Sequence, residues 1–320
     1  MLQFIIKGLR SILSIIIITA IFLIALIFIK ICSGNSFILA NVPILNDIHN
    51  IINIDIPTQR ITEEEKLYLG KKKELLFKMA LLADSEGGWE NLGRAVDKAK
   101  DLSVNAIFFL GDLTRWGEKE DLLQGREILS KSGITTIIIP GDHDLAASVS
   151  AGDEGGREIF NEVFKDSDIL VNVAKEYNIE GYKFIFLDNS ANFSPLTEEE
   201  LKWFKKEVQS SDFVILSQPL YHSTNYRIMG IVDGEKISSV YIQGQELLSW
   251  IRESNVKAVI SADQHIYSNL PDNIKHNLRH IVIGALVPNS IEEIRNPQAP
   301  RFGVLEVYSD GSFKVEDVVL

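Results

Sequence analysis

Cysteine is all but absent from this chain. Cys32 is the only one among 320 residues, so no disulfide can close within the chain, although that absence does not exclude an extracytoplasmic location. No internal repeat or low-complexity tract is visible. Basic residues are outnumbered, with 32 Lys and Arg against 44 Asp and Glu, for a formal net charge of −12. Lys7, Arg10 and Lys30 are the only charged residues up to position 30, so the rest of the chain is more acidic still. Such a body is repelled by polyanions, which argues against nucleic acid as its main partner. A hydrophobic content of 46% is enough for one large core or two small ones.

Long apolar runs are scarce as well, and the one present stands near the N-terminus. Residues 11–29 carry no charge and are dominated by Ile, Leu, Phe and Ala. Spanning a bilayer takes roughly 20 apolar residues, whereas a signal peptide has a shorter apolar stretch and a small-residue cleavage site. Lys7 and Arg10 precede the run, which by the positive-inside rule keeps the N-terminus in the cytoplasm. The reading is a single-pass protein of the cell membrane. Residues 1–32 form a cytoplasmic stub and anchor, 33–74 a stalk with a short capped helix from Thr62, and 75–320 an extracytoplasmic domain.

From residue 75 the pattern alternates between strand and helix. Apolar strands are expected at 76–82, 105–110, 135–139, 182–187, 213–216 and 256–260. Helices with apolar residues at three- and four-residue spacing are expected at 89–102, 118–131, 154–165, 197–208 and 243–253. The tail is strand-rich (280–283, 302–307, 312–315), with a hairpin across Asp310-Gly311. Alternating βα units that finish in antiparallel strands predict an α/β fold of two sheets packed face to face with helices outside.

Polar residues of one kind collect where these strands end. Asp84 and Glu86 follow the first strand and Asp112 the second. Asp142 and His143 follow the third, and Asp263 and His265 the strand at 256–260. The carboxyl ends of strands are where an open α/β sheet presents a site. Two side chains two apart in extended backbone point the same way, which aligns Asp84 with Glu86 and Asp263 with His265. Any one of these acids is equally well explained as a cap or a turn residue. Five carboxylates in one crevice repel each other, and divalent cations are the obvious remedy.

The ordered blocks Asp84-x-Glu86, Gly111-Asp112-(x)4-Gly117, Gly141-Asp142-His143-Asp144 and Asp263-x-His265 resemble the calcineurin-like metallophosphoesterases over residues 75–320. The resemblance implies a two-sheet β-sandwich flanked by helices (αββα), here preceded by one transmembrane helix. It also implies two metal ions bridged by the second block's Asp. Carried over, Asp84 and His265 match ligands of the first metal, and Asp112 matches the bridging carboxylate. His143 matches the histidine that contacts the phosphoryl group or protonates the leaving oxygen, and Asp144 matches its partner. Glu86, Asp142 and Asp263 stand where the family has His, Asn and His, and are expected to remain ligands. Ser217 replaces the histidine of His-x-Pro, and Gln218, a water or His222 can fill that gap.

Carboxylate ligands favour hard cations, so Mn²⁺ or Mg²⁺ is expected, with the second position weaker than the first. The function implied is a membrane-anchored, metal-dependent phosphoesterase in which a metal-bridging hydroxide attacks phosphorus. Excess carboxylate charge favours a phosphodiester over a dianionic monoester, and Arg115 can reach a phosphate oxygen or pair with an acid. The substrate would be a phosphorylated small molecule, lipid or cell-envelope component. The alternative is a non-catalytic ectodomain of the same fold acting as a binding or scaffold module. Trp89 and Trp116 flank the mouth, where they can cover a substrate or serve core or lid packing, and residues 221–241 can form a lid.

Overall fold

The computed structural model describes residues 73–148, 153–171, 174–287 and 298–320. Its first half runs β1 (Leu75–Leu82), α1 (Trp89–Asp101), β2 (Ala106–Phe109), α2 (Lys119–Lys131), β3 (Thr135–Ile138), a 3₁₀ turn (His143–Ser148), α3 (Asp153–Phe164) and β4 (Leu170–Val171). The second half begins with β5 (Ala174–Ile179), β6 (Tyr182–Leu187), α4 (Glu198–Glu207) and β7 (Phe213–Leu216). A small hairpin, β8 (Ile231–Val232) and β9 (Glu235–Lys236), precedes α5 (Ser238–Glu253) and β10 (Ala258–Ser261). The chain closes with β11 (Ser268–Pro271), β12 (Arg279–Val282), β13 (Arg301–Tyr308) and β14 (Phe313–Val319).

Local chemistry accounts for these elements. In α1, Leu92, Ala95, Val96 and Ala99 are buried at the spacing of one helical face. Helix α4 opens with a reciprocal capping box between Thr197 and Glu200. Asp233 and Gly234 adopt positive φ angles of 48° and 83°, the backbone that a two-residue hairpin turn requires.

Two six-stranded mixed sheets result, in the orders β14-β13-β1-β2-β3-β4 and β11-β12-β10-β7-β6-β5. Strands β1 to β4 are mutually parallel, as are β6, β7, β10 and β12. Their carboxyl ends, where the acids follow, therefore lie along one edge of each sheet. Alternate residues of the central strands face opposite ways. Phe77, Met79 and Leu81 join Phe108, Phe184, Phe213 and Ile260 in the core between the sheets. Ala80, Leu82, Ile107 and Phe109 pack under α1, α2 and α3. Ile185, Leu187, Val214 and Leu216 pack under α4 and α5. Phe184 is central: its ring stacks on Phe213 at 4.8 Å and meets Phe108 edge-on at 5.6 Å.

The strands and helices expected from the pattern are present within a few residues. Strands β4, β5, β8, β9 and β11 are additional to those the pattern predicts. Strand β5 (AKEYNI) and β11 (SNLP) are edge strands whose polar, half-exposed residues give no apolar signal. The expected lid at 221–241 contains the β8–β9 hairpin and the first residues of α5.

The expected transmembrane helix needs correction. No helix among the described residues is long and apolar enough to cross a membrane, and residues 11–29, on which the reading rested, lie outside them. The assignment to the cell membrane with an extracytoplasmic domain is accordingly withdrawn. The capped helix expected in the stalk also lies outside the described residues.

Phe184 is fully buried, and removing its ring leaves a cavity that the stacked neighbours cannot fill. Phe184→Ala is expected to destabilise the protein by about 3–5 kcal/mol in urea unfolding. Phe193→Ala, at a side chain 62% exposed, should change it by no more than about 0.5 kcal/mol.

Candidate metal centre

The loops after β1 and β2 stay paired beyond the end of their strands. Asp84 N–H donates to the Gly111 carbonyl at 3.0 Å, Glu86 N–H to the Asp112 carbonyl at 3.0 Å, and Gly87 N–H to the Leu113 carbonyl at 3.1 Å. The loop after β10 joins them from the other sheet, with Asp263 N–H donating to Asp84 Oδ1 at 3.2 Å. The loop after β3 closes the ring, with His143 N–H donating to Asp112 Oδ1 at 3.0 Å.

Asp84, Glu86, Asp112, Asp263 and His265 all have positive φ, between 42° and 69°. Such backbone costs a non-glycine residue about 1–3 kcal/mol and persists where the surroundings impose it, commonly at functional sites. The expectation that Asp84-x-Glu86 and Asp263-x-His265 are extended is therefore wrong. The side chains converge through left-handed turns instead. Gly141 allows the close approach, since a Cβ there would collide with the Asp112 carboxylate.

Asp144 is completely buried and is committed to holding this arrangement. Its Oδ1 accepts from Thr114 N–H at 2.9 Å and Thr114 Oγ1–H at 3.0 Å, and its Oδ2 from Gly141 N–H at 3.0 Å and Leu113 N–H at 3.2 Å. The third-strand loop is thereby tied to the second.

Two groups of side chains present ligand atoms within 4.8 Å of one another: Asp84 with Asp112 and His265, and Asp112 with Asp142 and His143. Asp112 belongs to both. Glu86 and Asp263 fall outside these two groups but border them. Glu86 Oε1 lies 3.0 Å from His265 Nε2, and the Asp263 charge bears on Asp112.

Burial pushes the Asp112 carboxyl well above the carboxylate range, helped by the charges of Asp142, Asp84, Asp144 and Asp263. Burial likewise lifts Asp84 to about 6 and Asp263 to about 7, and raises Asp144. His265 is driven the other way from burial's pull, up to about 9, by its bond to Glu86 and the charge of Asp84. Glu86 is lowered because His265 outweighs its own burial. His143, which burial would lower, is raised by Asp142, by its bond to the Arg115 carbonyl and by Glu86.

A divalent cation fits this donor set. Asp84 Oδ2 and Asp142 Oδ1 are buried with no hydrogen-bond partner, which in a native protein calls for an ion or a water. The donors are mostly carboxylate, as hard cations prefer.

Beyond the acids, the structure adds Asn192, which the sequence did not single out, and ties it to Gln218, which the sequence offered as a substitute for the missing histidine. Asn192 Nδ2 donates to Asp142 Oδ2 at 2.7 Å, and Gln218 Nε2 donates to Asn192 Oδ1 at 2.7 Å. A cavity of about 460 Å³ opens here, lined by Asp142, His143, Asn192, Gln218, Arg227 and Asp263 together with the β8–β9 hairpin. Arg227 bears electrostatically on Asp84 and Asp263. Arg115, the expected phosphate contact, is exposed and bears on Glu86. Its carbonyl accepts from His143 Nδ1 at 2.9 Å, and its guanidinium lies over Trp116.

Trp116 is 56% exposed, with its ring 6.5 Å from that of His143. Trp89 is half-buried and packs against the core under the first sheet. His222 does not reach the centre. Its Nε2 lies 3.1 Å from Ser268 Oγ, while Nδ1 accepts from the backbone N–H groups of Thr224 and Asn225.

Two mixed sheets flanked by helices, with acid-bearing loops meeting at the strand ends, define a metallophosphoesterase-like protein. The family model for calcineurin-like phosphoesterases matches residues 41–267, and the chain belongs to that family, whose members are metal-dependent. Among solved structures, a dimetal phosphatase from Danio rerio aligns with a TM-score of 0.51 at 12% identity, covering 77% of this chain and 99% of that one. A purple acid phosphatase from yellow lupin (Lupinus luteus) seeds aligns with a TM-score of 0.52 at 12% identity, covering 78% of this chain and 54% of that one. At such identities the likeness shows the fold alone. No curated protein matches significantly.

The raised carboxyls carry a pH dependence. With Asp84 and Asp263 lifted from 3.8 to about 6 and about 7, the folded metal-free protein binds more protons than the unfolded chain between those values. Their contribution to stability therefore falls as pH rises through that window. A cation competes with the same protons. The increase in Tm produced by saturating Mn²⁺ is expected to be larger at pH 8 than at pH 5.5. An equal increase at both would contradict the linkage.

Proposed function

We propose that this protein hydrolyses phosphate esters, phosphodiesters above all, using two Mn²⁺ or Mg²⁺ ions held on either side of Asp112. The observation that carries this reading is the membership of Asp112 in both ligand groups. Asp84, Asp112 and His265 would hold one ion, with Glu86 and Asp263 beside it. Asp112 and Asp142 would hold the other. When bound, such ions neutralise phosphoryl oxygens and lower the pKa of a water that serves as nucleophile.

The chain's own groups take the remaining roles. Arg227, which bears on Asp84 and Asp263, and Arg115, which bears on Glu86, would grip phosphate oxygens. The Nδ1 of His143 is engaged with the Arg115 carbonyl, so Nε2 is the nitrogen left to donate a proton to the leaving oxygen. Asp144 has no free oxygen for proton transfer and acts by positioning the loops. The acids Asp84, Glu86, Asp112, Asp142 and Asp263 exceed the charge of two divalent ions. That balance favours a singly charged diester over a dianionic monoester.

The test is hydrolysis of bis(p-nitrophenyl) phosphate and p-nitrophenyl phosphate by the full chain with Mn²⁺. The diester should be the better substrate by kcat/KM, and Asp112→Asn should lose both ions and all turnover above background. His143→Ala should keep both ions while kcat falls by about 10²–10⁴. Loss of metal in His143→Ala would make it a ligand. Absence of turnover with both ions bound would favour a non-catalytic binding module.

A further inference from the structure

Gln218 has one atom that no contact accounts for. The side chain lines the cavity with Asp142 and Asp263, the residue is 4% exposed, and Oε1 is buried without a hydrogen-bond partner. The orientation of its amide follows from its neighbours. A carboxylate accepts, so the Asn192 atom facing Asp142 Oδ2 is the donor Nδ2. Asn192 Oδ1 then faces Gln218 and accepts a hydrogen bond from Nε2–H. The same Nε2 lies 3.4 Å from the Ser190 carbonyl. The amide nitrogen is thus occupied, and Oε1 remains as a buried acceptor.

Asp142 is left in the same condition. Asn192 occupies its Oδ2, while Oδ1 is buried and unpartnered. One residue, Asn192, therefore orients two neighbouring side chains and leaves one oxygen free on each, at the rim of one cavity. We propose that Gln218 Oε1 is a ligand of the ion held by Asp112 and Asp142, with Asn192 fixing the pair from behind. This rests on the two-ion reading of the centre. A neutral amide oxygen suits a hard cation, and it completes coordination without adding charge to a crowded group of carboxylates. The backbone holds it in place, since Asn189 Oδ1 accepts from the N–H groups of both Ser217 and Gln218 at 3.0 Å. Hydrogen bonds that orient ligands from outside typically change metal affinity 10- to 100-fold when removed.

The experiment is Mn²⁺ titration of the full chain by calorimetry, wild type against Gln218→Leu. In the variant the weaker of two binding events should lose at least about tenfold in affinity, with the stronger unchanged within about twofold. A variant that retains both events, one that weakens both equally, or a wild type with one event would overturn the proposal. If Gln218→Leu fails to fold, crystals of the wild type soaked in Mn²⁺ decide the matter by anomalous scattering. A second ion roughly 2.0–2.6 Å from Oε1 is the expected result, and an ion separated from it by water overturns the assignment. Neither readout uses turnover. A Gln218-dependent second ion in a protein that hydrolyses no ester would defeat the proposed activity and leave the ligand assignment standing. A hydrolase indifferent to Gln218 in this titration would do the reverse.

Discussion

The constraint on which the centre depends is the burial of like charges around Asp112. Its carboxyl is desolvated and faces the charges of Asp142, Asp84, Asp144 and Asp263. Left to themselves such groups separate or take up protons. The fold prevents separation with main-chain bonds between the loops: Asp84 to Gly111, Glu86 to Asp112, His143 to the Asp112 carboxylate and Asp263 to the Asp84 carboxylate. What remains is protonation or a cation. The raised Asp84 and Asp263 are the first answer, and a divalent ion is the second.

The acids differ in what they have left to offer. Asp144 is saturated by four donors and holds the loops together. Glu86 is paired with His265. Asp84 and Asp142 each retain a buried oxygen with no partner. Carboxylates of one kind, brought together by similar loops, thus divide into a structural anchor, an ion-paired neighbour and two groups with an oxygen to spare. Arg227 and Arg115 complete the field with positive charge, and the β8–β9 hairpin forms one wall of the cavity. A hairpin placed outside the two large sheets can vary without disturbing the core.

Much of this was legible in the sequence. The buried strands β1, β2, β3, β6, β7 and β10 are continuous apolar runs, and the acids stand immediately after them. The parallel arrangement that aligns those ends follows from the helices between. The backbone of the site was not legible. Glu86 and His265 read as extended from their spacing and are in fact left-handed, because main-chain pairing between loops overrides local preference. Asn192 lies 50 residues from Asp142, in a segment with no pattern of its own. Arg227 sits in an irregular stretch before the hairpin, and only the folded chain brings it to the acids. The polar edge strands β5 and β11 carry no sequence signal either, because they are held by pairing with a neighbour and not by a buried face.

The central claim, that Asp112 joins two ions, is tested most directly by electron paramagnetic resonance of the Mn²⁺-saturated full chain. Two Mn²⁺ ions sharing one carboxylate are magnetically coupled. The account predicts a coupled spectrum at full occupancy that Asp112→Asn abolishes. A spectrum of isolated Mn²⁺ at saturation, unchanged in the variant, would contradict it.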